Sequence, residues 1–383
     1  MGVGWRRTVF GVTATLCVCA LSVVSVRSQA AQAEAEMAET VFQNVLVLKG
    51  IPVDEFMDTM GMFAAATTKD CTGCHAPEVL GDSRDAFAIA TPMIQRARQM
   101  VVMMNNINRT YFGGETRVTC YTCHSATPVP EWVPNLSIQY GAPPDFNPDS
   151  MTFIPFPDEV DRVDEVFGQF IEALGGAPAA GMTSLVATGT YAGWDTSRAE
   201  VPVEIVTSAP GQMTTVIQRN EGNNTYVFDG TNAWFAGVDA AVPDYTLTYT
   251  GGNLSGARID ALVLVAPSMI QSTYDSWAIS EDIVNDEIVT VLRGTKEGES
   301  PVHLYFNEAG FLVRLVRWNE TSVGPVPTQF DFSDYREVAG VQRPFRWVKS
   351  WTNNQATYVM SDMQINSPVD AGRFARPEPV TLR

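Results

Sequence analysis

Two short runs carry the clearest chemistry in this chain: Cys71-Thr72-Gly73-Cys74-His75 and Cys120-Tyr121-Thr122-Cys123-His124. Two thiols three residues apart on one helical turn can each bond a vinyl group of a porphyrin, and the adjacent imidazole is then placed to ligate the iron from below. A redox-active thiol pair does not need histidine beside it in both copies. A zinc cage of two Cys-x-x-Cys pairs would use the thiols and leave both histidines without a role. With 6 Cys and 3 His in 383 residues, chance supplies roughly 0.0007 copies of the run. The two runs together use four of the six cysteines and two of the three histidines. The reading is two covalently attached haem c groups, held by Cys71, Cys74, Cys120 and Cys123, with His75 and His124 as proximal ligands.

Each iron also needs a distal partner. His303 is the remaining histidine, so at most one iron could be bis-histidine. It falls in an alternating strand pattern and reads as a packed or surface residue. Methionine is the other candidate, since a thioether is a good axial ligand and raises the potential relative to a second imidazole. Upstream of the first run, Val53, Phe56, Met57, Met60, Phe63 and Ala64 recur at helical spacing after Pro52. Upstream of the second, Thr91-Pro92 reads as a helix start, and Met93, Ala97, Met100, Met104 and Ile107 form the stripe that should be buried. Met57, Met60, Met62, Met100, Met103 and Met104 all remain open on spacing alone. Soft core packing is the ordinary use of such residues.

The elements around these runs belong to an exported, acidic protein. Arg6 and Arg7 precede the uncharged apolar run Thr8–Val26, and Ala31-Gln32-Ala33 follows as a cleavage signature. Residues 1–33 therefore read as a secretory signal, with a retained membrane anchor as the rival. Export suits covalent haem, which is attached outside the bacterial cytoplasm. Cys17 and Cys19 would leave with the signal, and loss of its three arginines takes the formal charge from −18 to −21. Such a surface excludes nucleic acid as a partner and favours redox proteins with a basic patch. Arg96, Arg98, Arg109 and Arg117 are candidates to meet haem propionates.

The stretch from about Asn44 to Pro134 resembles the cytochrome subunit of photosynthetic reaction centres. Val47-Leu48-Lys49-Gly50, Glu55-Phe56-Met57-Asp58-Thr59-Met60, Arg98-Gln99-Met100, Ile107-Asn108 and Val118-Thr119-Cys120-Tyr121-Thr122-Cys123-His124 carry the likeness. In that family a helix, a turn and a haem motif form one repeated unit, and the helix bears the distal Met. The resemblance thus implies Met60 for the first haem and Met100 for the second. It also implies electron transfer, with redox proteins as donor and acceptor and a membrane complex among the partners. The family subunit carries four haems where this chain has two motifs, and Ser125-Ala126 stands where the family tends to have Arg-Gly.

Beyond the second motif the composition changes. Pro128, Pro130, Pro134, Pro143, Pro144, Pro148, Pro155 and Pro157 make 128–157 a stiff connector between a helical dihaem domain, 34–127, and a second domain, 158–383. In the second domain Val160, Val163, Phe167, Phe170, Ile171 and Leu174 predict one helix, and Ala257–Gln271 another. Eleven period-two segments predict strands: 184–194, 201–208, 213–220, 226–229, 233–237, 287–294, 302–307, 311–319, 329–338, 343–351 and 356–366. The fold class is α+β in two domains, the second an antiparallel, strongly curved sheet with covering helices. It is similar to the lipoprotein-localisation-factor fold, an unclosed barrel, through Glu172–Gly176, Phe228–Trp234 and Phe330–Tyr335. That resemblance implies either shelter for an acyl chain or a docking surface. Three functions follow: a periplasmic electron carrier, a redox-linked ligand-binding or lipid-binding sensor, and a dihaem peroxidase. The last needs an open iron site, and no acid–base residue is marked for one.

Overall fold

A computed structural model describes residues 35–80, 84–130, 160–238, 245–285, 287–352 and 354–380. Contacts divide the chain into Met1–Ala31 and Gln32–Arg383. The first unit, with the expected signal, lies outside the described residues, as does most of the proline-rich connector. No helix among the described residues is long and apolar enough to cross a membrane.

Thirteen strands form one antiparallel sheet in the order β6-β5-β4-β3-β2-β1-β13-β12-β11-β10-β9-β8-β7. They are β1 (Ser184–Gly193), β2 (Val201–Ser208), β3 (Gln212–Ile217), β4 (Asn224–Phe228), β5 (Ala233–Ala236), β6 (Thr246–Thr248) and β7 (Ser276–Val284), then β8 (Glu287–Lys296), β9 (Glu299–Phe306), β10 (Leu312–Thr321), β11 (Gly324–Val338), β12 (Val341–Trp351) and β13 (Asn354–Ile365). Neighbours in sequence pair as hairpins except β6 and β7, which form the two edges, and the sheet is stitched in its middle where β1 meets β13, Leu185 opposite Ile365. All eleven expected strands are present, 201–208 with the expected bounds and the others with shifted ends. β6 and β7 are additional.

The helices are α1 (Ala38–Val41), α2 (Val53–Thr67), α3 (Pro92–Tyr111), α4 (Cys120–His124), α5 (Val160–Ala173), α6 (Ala177–Ala180) and α7 (Gly251–Val265). The predicted stripe of α5 is the observed one: Val163, Phe167, Phe170 and nearby Leu174 are buried in the main core with Ile205, Leu304 and Leu315 of the strands. The second predicted helix begins at Gly251, six residues before the expected start, and ends at Val265. Its first turns read as loop in sequence because of Gly251, Gly252 and Gly256. The structure gives two of these glycines a reason. A Cβ on Gly252 would lie 2.4 Å from the Trp318 carbonyl, and one on Gly256 would lie 2.1 Å from the Arg317 guanidinium. Helix α7 is buried nearly all round, from Leu254 to Val265. No amphipathic stripe therefore marks where it begins.

Helix α2 differs from expectation in the same way. The sequence gives it one apolar stripe, whereas Val53, Asp54, Thr59, Gly61, Met62 and Ala66 are buried and the helix is covered on several sides. The haem-motif segment is packed against the sheet through this helix. Thr250 donates its N–H to Asp54 at 2.5 Å, the Asn253 and Asn319 amides donate to Asp58 at 2.7 and 2.6 Å, and the Ser322 N–H donates to Glu55 at 2.9 Å. Asp54 thereby caps the start of α7, where the helix dipole favours an anion.

Candidate functional site

The two Cys-x-x-Cys-His runs adopt different local folds with the same outcome. Cys71–Gly73 is a 3-10 turn whose start is capped by Asp70, which accepts from the Gly73 N–H at 3.1 Å and from the Thr72 hydroxyl at 2.7 Å. The Thr91 hydroxyl, at the start of α3, donates to the Cys74 carbonyl at 2.5 Å and accepts from the Ile94 N–H at 3.1 Å. One side chain thus ends the first motif and opens the next helix. The second run is α4 itself, entered through a reciprocal cap in which Thr119 and Thr122 each accept from the other's backbone N–H. It leaves through Ser125 and Ala126, both at positive φ, 48° and 61°. Helix α4 is pinned from α3 by Asn108, a buried amide. Its Nδ2 donates to the Val118 carbonyl at 2.7 Å, and its Oδ1 accepts from the N–H groups of Val118 and Arg117 at 2.8 and 3.2 Å. Only its family likeness flags Asn108 in the sequence; a polar residue at a core position of α3 is the signal that could have marked it.

The histidines share one geometry. His75 Nδ1 lies 3.1 Å from the Phe87 carbonyl, and His124 Nδ1 lies 3.0 Å from the Thr127 carbonyl. A carbonyl can only accept, so each Nδ1 carries the proton and each Nε2 keeps a lone pair for a metal. The Phe87 ring also packs edge-on to His75 at 5.1 Å. Burial lowers the His75 pKa, which further favours the neutral, ligating form.

No disulfide joins the four thiols. Each pair has one exposed sulfur, Cys71 or Cys123, and one half-buried, Cys74 or Cys120. Burial raises the Cys74 pKa and pushes the Cys120 thiol up to about 11. Both therefore stay protonated, unlike a reactive redox thiolate. Among the described residues no three His, Cys, Asp or Glu side chains converge on a metal position, so the pairs do not form one zinc cage. Unbridged thiols in pairs, each followed by an imidazole with its Nε2 lone pair available, fit a covalently held iron porphyrin.

The methionines fall in distinct places. Met62 and Met104 are buried in an apolar cluster with Leu48, Val101, Val323 and Val326, against which Met60, Phe63, Val118 and Cys120 also pack. Met60 is thus held on the same cluster as the second motif, and Gly324 in the β10–β11 turn completes its wall. A Cβ at Gly324 (φ +129°) would lie 2.6 Å from Thr119 Cγ2 and 3.6 Å from Met62 Cε. Met57 instead faces the interior cavity of the sheet. On α3 the buried positions are Val101, Met104 and Asn108, with Met100 half-buried and Met93 exposed, so the expected stripe is rotated and Met93 is not part of it. The rotation follows from Asn108, which must face α4. Met103 lines an open groove of about 660 Å³ along α3, with Val47, Arg98, Val102, Ile107 and Tyr111. Arg98 donates to the Asn44 carbonyl at 2.6 Å, Arg109 donates to Asn106, and exposed Arg117 pairs with Glu115 at 2.7 Å. His303 is buried on β9 with its ring 4.7 Å from that of Trp318, the packed position its strand pattern suggests.

Residues 2–140 match the family model described as photosynthetic reaction centre cytochrome C subunit. The photosynthetic reaction center cytochrome c subunit of Rubrivivax gelatinosus is 34% identical over 96 residues, 24% of this chain and 25% of that protein. The corresponding subunit of Thermochromatium tepidum is 36% identical over 118 residues, 29% of this chain and 28% of that protein. The chain thus spans about a quarter of the length of these curated relatives. Among solved structures, a LolA superfamily protein from Nitrosomonas europaea is 14% identical with a TM-score of 0.36, covering 55% of this chain and 96% of its own. A putative outer membrane lipoprotein-sorting protein domain from Vibrio parahaemolyticus is 10% identical with the same TM-score, covering 55% and 96%. The part of the chain that carries both Cys-x-x-Cys-His runs is therefore similar to the cytochrome c subunits of photosynthetic reaction centres.

Proposed function

We propose that this protein is an exported, periplasmic dihaem c-type cytochrome that passes electrons between redox partners. The observation that carries the reading is the shared histidine geometry. Two imidazoles far apart in sequence, each next to a thiol pair, are both fixed by an Nδ1–H bond to a backbone carbonyl. A pair of structural histidines has no need of that coincidence. Bound haem would supply a one-electron couple at each site. Cys71 and Cys74 would hold the first group with His75, and Cys120 and Cys123 the second with His124. The carbonyls of Phe87 and Thr127 fix each ring's tautomer and raise its basicity as a ligand. Met60 and Met100 would hold the two groups from the other side, by their match to the family. Burial of Met62, Met104, Val101 and Leu48 beside the second motif would keep water from a group held there and favour a higher potential.

The acidic surface would steer the carrier to partners with a basic patch, a membrane complex among them, with association weakening as salt rises. The test is the full chain matured in a host that makes c-type cytochromes. Mass spectrometry should find two covalent haems, and a redox titration should give two low-spin, six-coordinate centres. A matured chain without covalent haem overturns the reading, and a high-spin centre with peroxide turnover replaces it with an enzyme.

A further inference from the structure

The concave face of the sheet, closed by α2 and α7, encloses a cavity of about 680 Å³ that the electron-transfer reading does not use. That volume is in the range of small-molecule sites. Its walls carry charge as well as aromatic surface, and nearly every charge is already matched inside the protein. Arg317 grips Asp260 through two bonds, at 3.0 and 2.8 Å. Asp58 accepts from two amides and Asp54 from Thr250. Arg219 faces Asp195 at 3.9 Å, and Asp195 also accepts from the Tyr191 hydroxyl at 2.6 Å.

Lys349 is the exception. Its ammonium makes no hydrogen bond or close ion pair among the described residues: Asp260 and Asp58, each held by its own partners, act on it only at longer range, and three aromatic faces surround it. Tyr226, Phe330 and Trp351 lie 5.8, 5.3 and 5.2 Å from Nζ. An ammonium on a cavity wall without a hydrogen-bond partner calls for an acceptor, which cation–π contact with the rings does not supply. A cationic ligand is disfavoured, because the aromatic box already holds the chain's own cation. Trp347 and Tyr358, stacked at 5.2 Å and 15°, add a flat wall beside it. Flat walls select a flat body, since offset stacking adds to simple burial.

We propose that this cavity binds a planar, ring-bearing organic carboxylate, its anionic group on Lys349 and its rings between the aromatic walls. Burial depresses the Lys349 pKa to about 8, so a carboxylate partner would recover the charge that the empty box penalises.

The experiment is calorimetric titration of the full, haem-loaded chain with anthracene-2-carboxylate, with neutral 2-(hydroxymethyl)anthracene and with hexadecanoate. The aromatic acid should bind one per chain, at least tenfold tighter than the alcohol and tighter than hexadecanoate. Lys349→Met should bring the acid down to the alcohol's affinity with the alcohol unchanged, and Lys349→Arg should restore the preference. Equal affinity of acid and alcohol for the native chain, tighter binding of hexadecanoate, or no binding would each overturn the proposal. The native-chain comparison decides even where a variant fails to fold.

Discussion

Asn108 shows how a single amide can position a cofactor motif without touching it. It satisfies three backbone groups just before α4. Asn108→Ala strands those groups in a buried place and should cost about 2–3 kcal/mol, read as a lowered midpoint in denaturant unfolding. The distal ligands are testable at the same scale. Met60→Ala or Met100→Ala should leave haem covalently attached and lower the potential of one centre by at least about 59 mV, a tenfold change for a one-electron couple. Redox titration of each variant reads this, and unchanged potentials in both would reassign the ligands to Met62, Met103 or Met104. His303 gives a pH signature. Burial pushes its pKa down to about 4 from 6.5. The unfolded chain therefore binds the proton first as pH falls, and the stability present above 6.5 is lost on the way to 4. Relative to His303→Gln, the native chain should lose about 3 kcal/mol more over that window. Parallel stability curves for the two proteins would contradict it.

Among the elements, legibility tracks periodicity. Strands with one buried face, such as β1, β2 and β12, show alternation and were readable within a residue or two. Helix α5, with one face on the core, was equally plain. Helices α2 and α7 were legible as helices, but the buried sides of α2 and the start of α7 were not, because both are buried on several sides and their apolar residues wind round the axis. β7 escaped because alternation breaks at Ser280–Asp282, and β6 is only three residues long. The cysteine–histidine runs were legible because spacing alone encodes their chemistry; the methionines were not, since burial rather than sequence separates Met62 and Met104 from Met103. The glycines of α7 supply the prediction at this scale. Gly252→Ala forces a methyl against the Trp318 carbonyl and should destabilise by about 1–3 kcal/mol, visible as a fall in Tm. An unchanged Tm would mean that α7 can lift off β10.

At the scale of the molecule, α2 belongs to both the haem-motif segment and the roof of the sheet. Haem absorbance and tryptophan fluorescence should therefore report one coincident unfolding transition rather than two. Two separated midpoints would make the segments independent. The pairing of β1 with β13 adds a rule of timing. A chain that emerges from its N-terminus presents both cysteine–histidine runs while the β10–β11 turn, about two hundred residues further on, is still missing. The inner edge of β1 waits longer still, until the final strand arrives. Cys120 is thus available for attachment before the turn that packs on it, through Val323 and Val326, has been made.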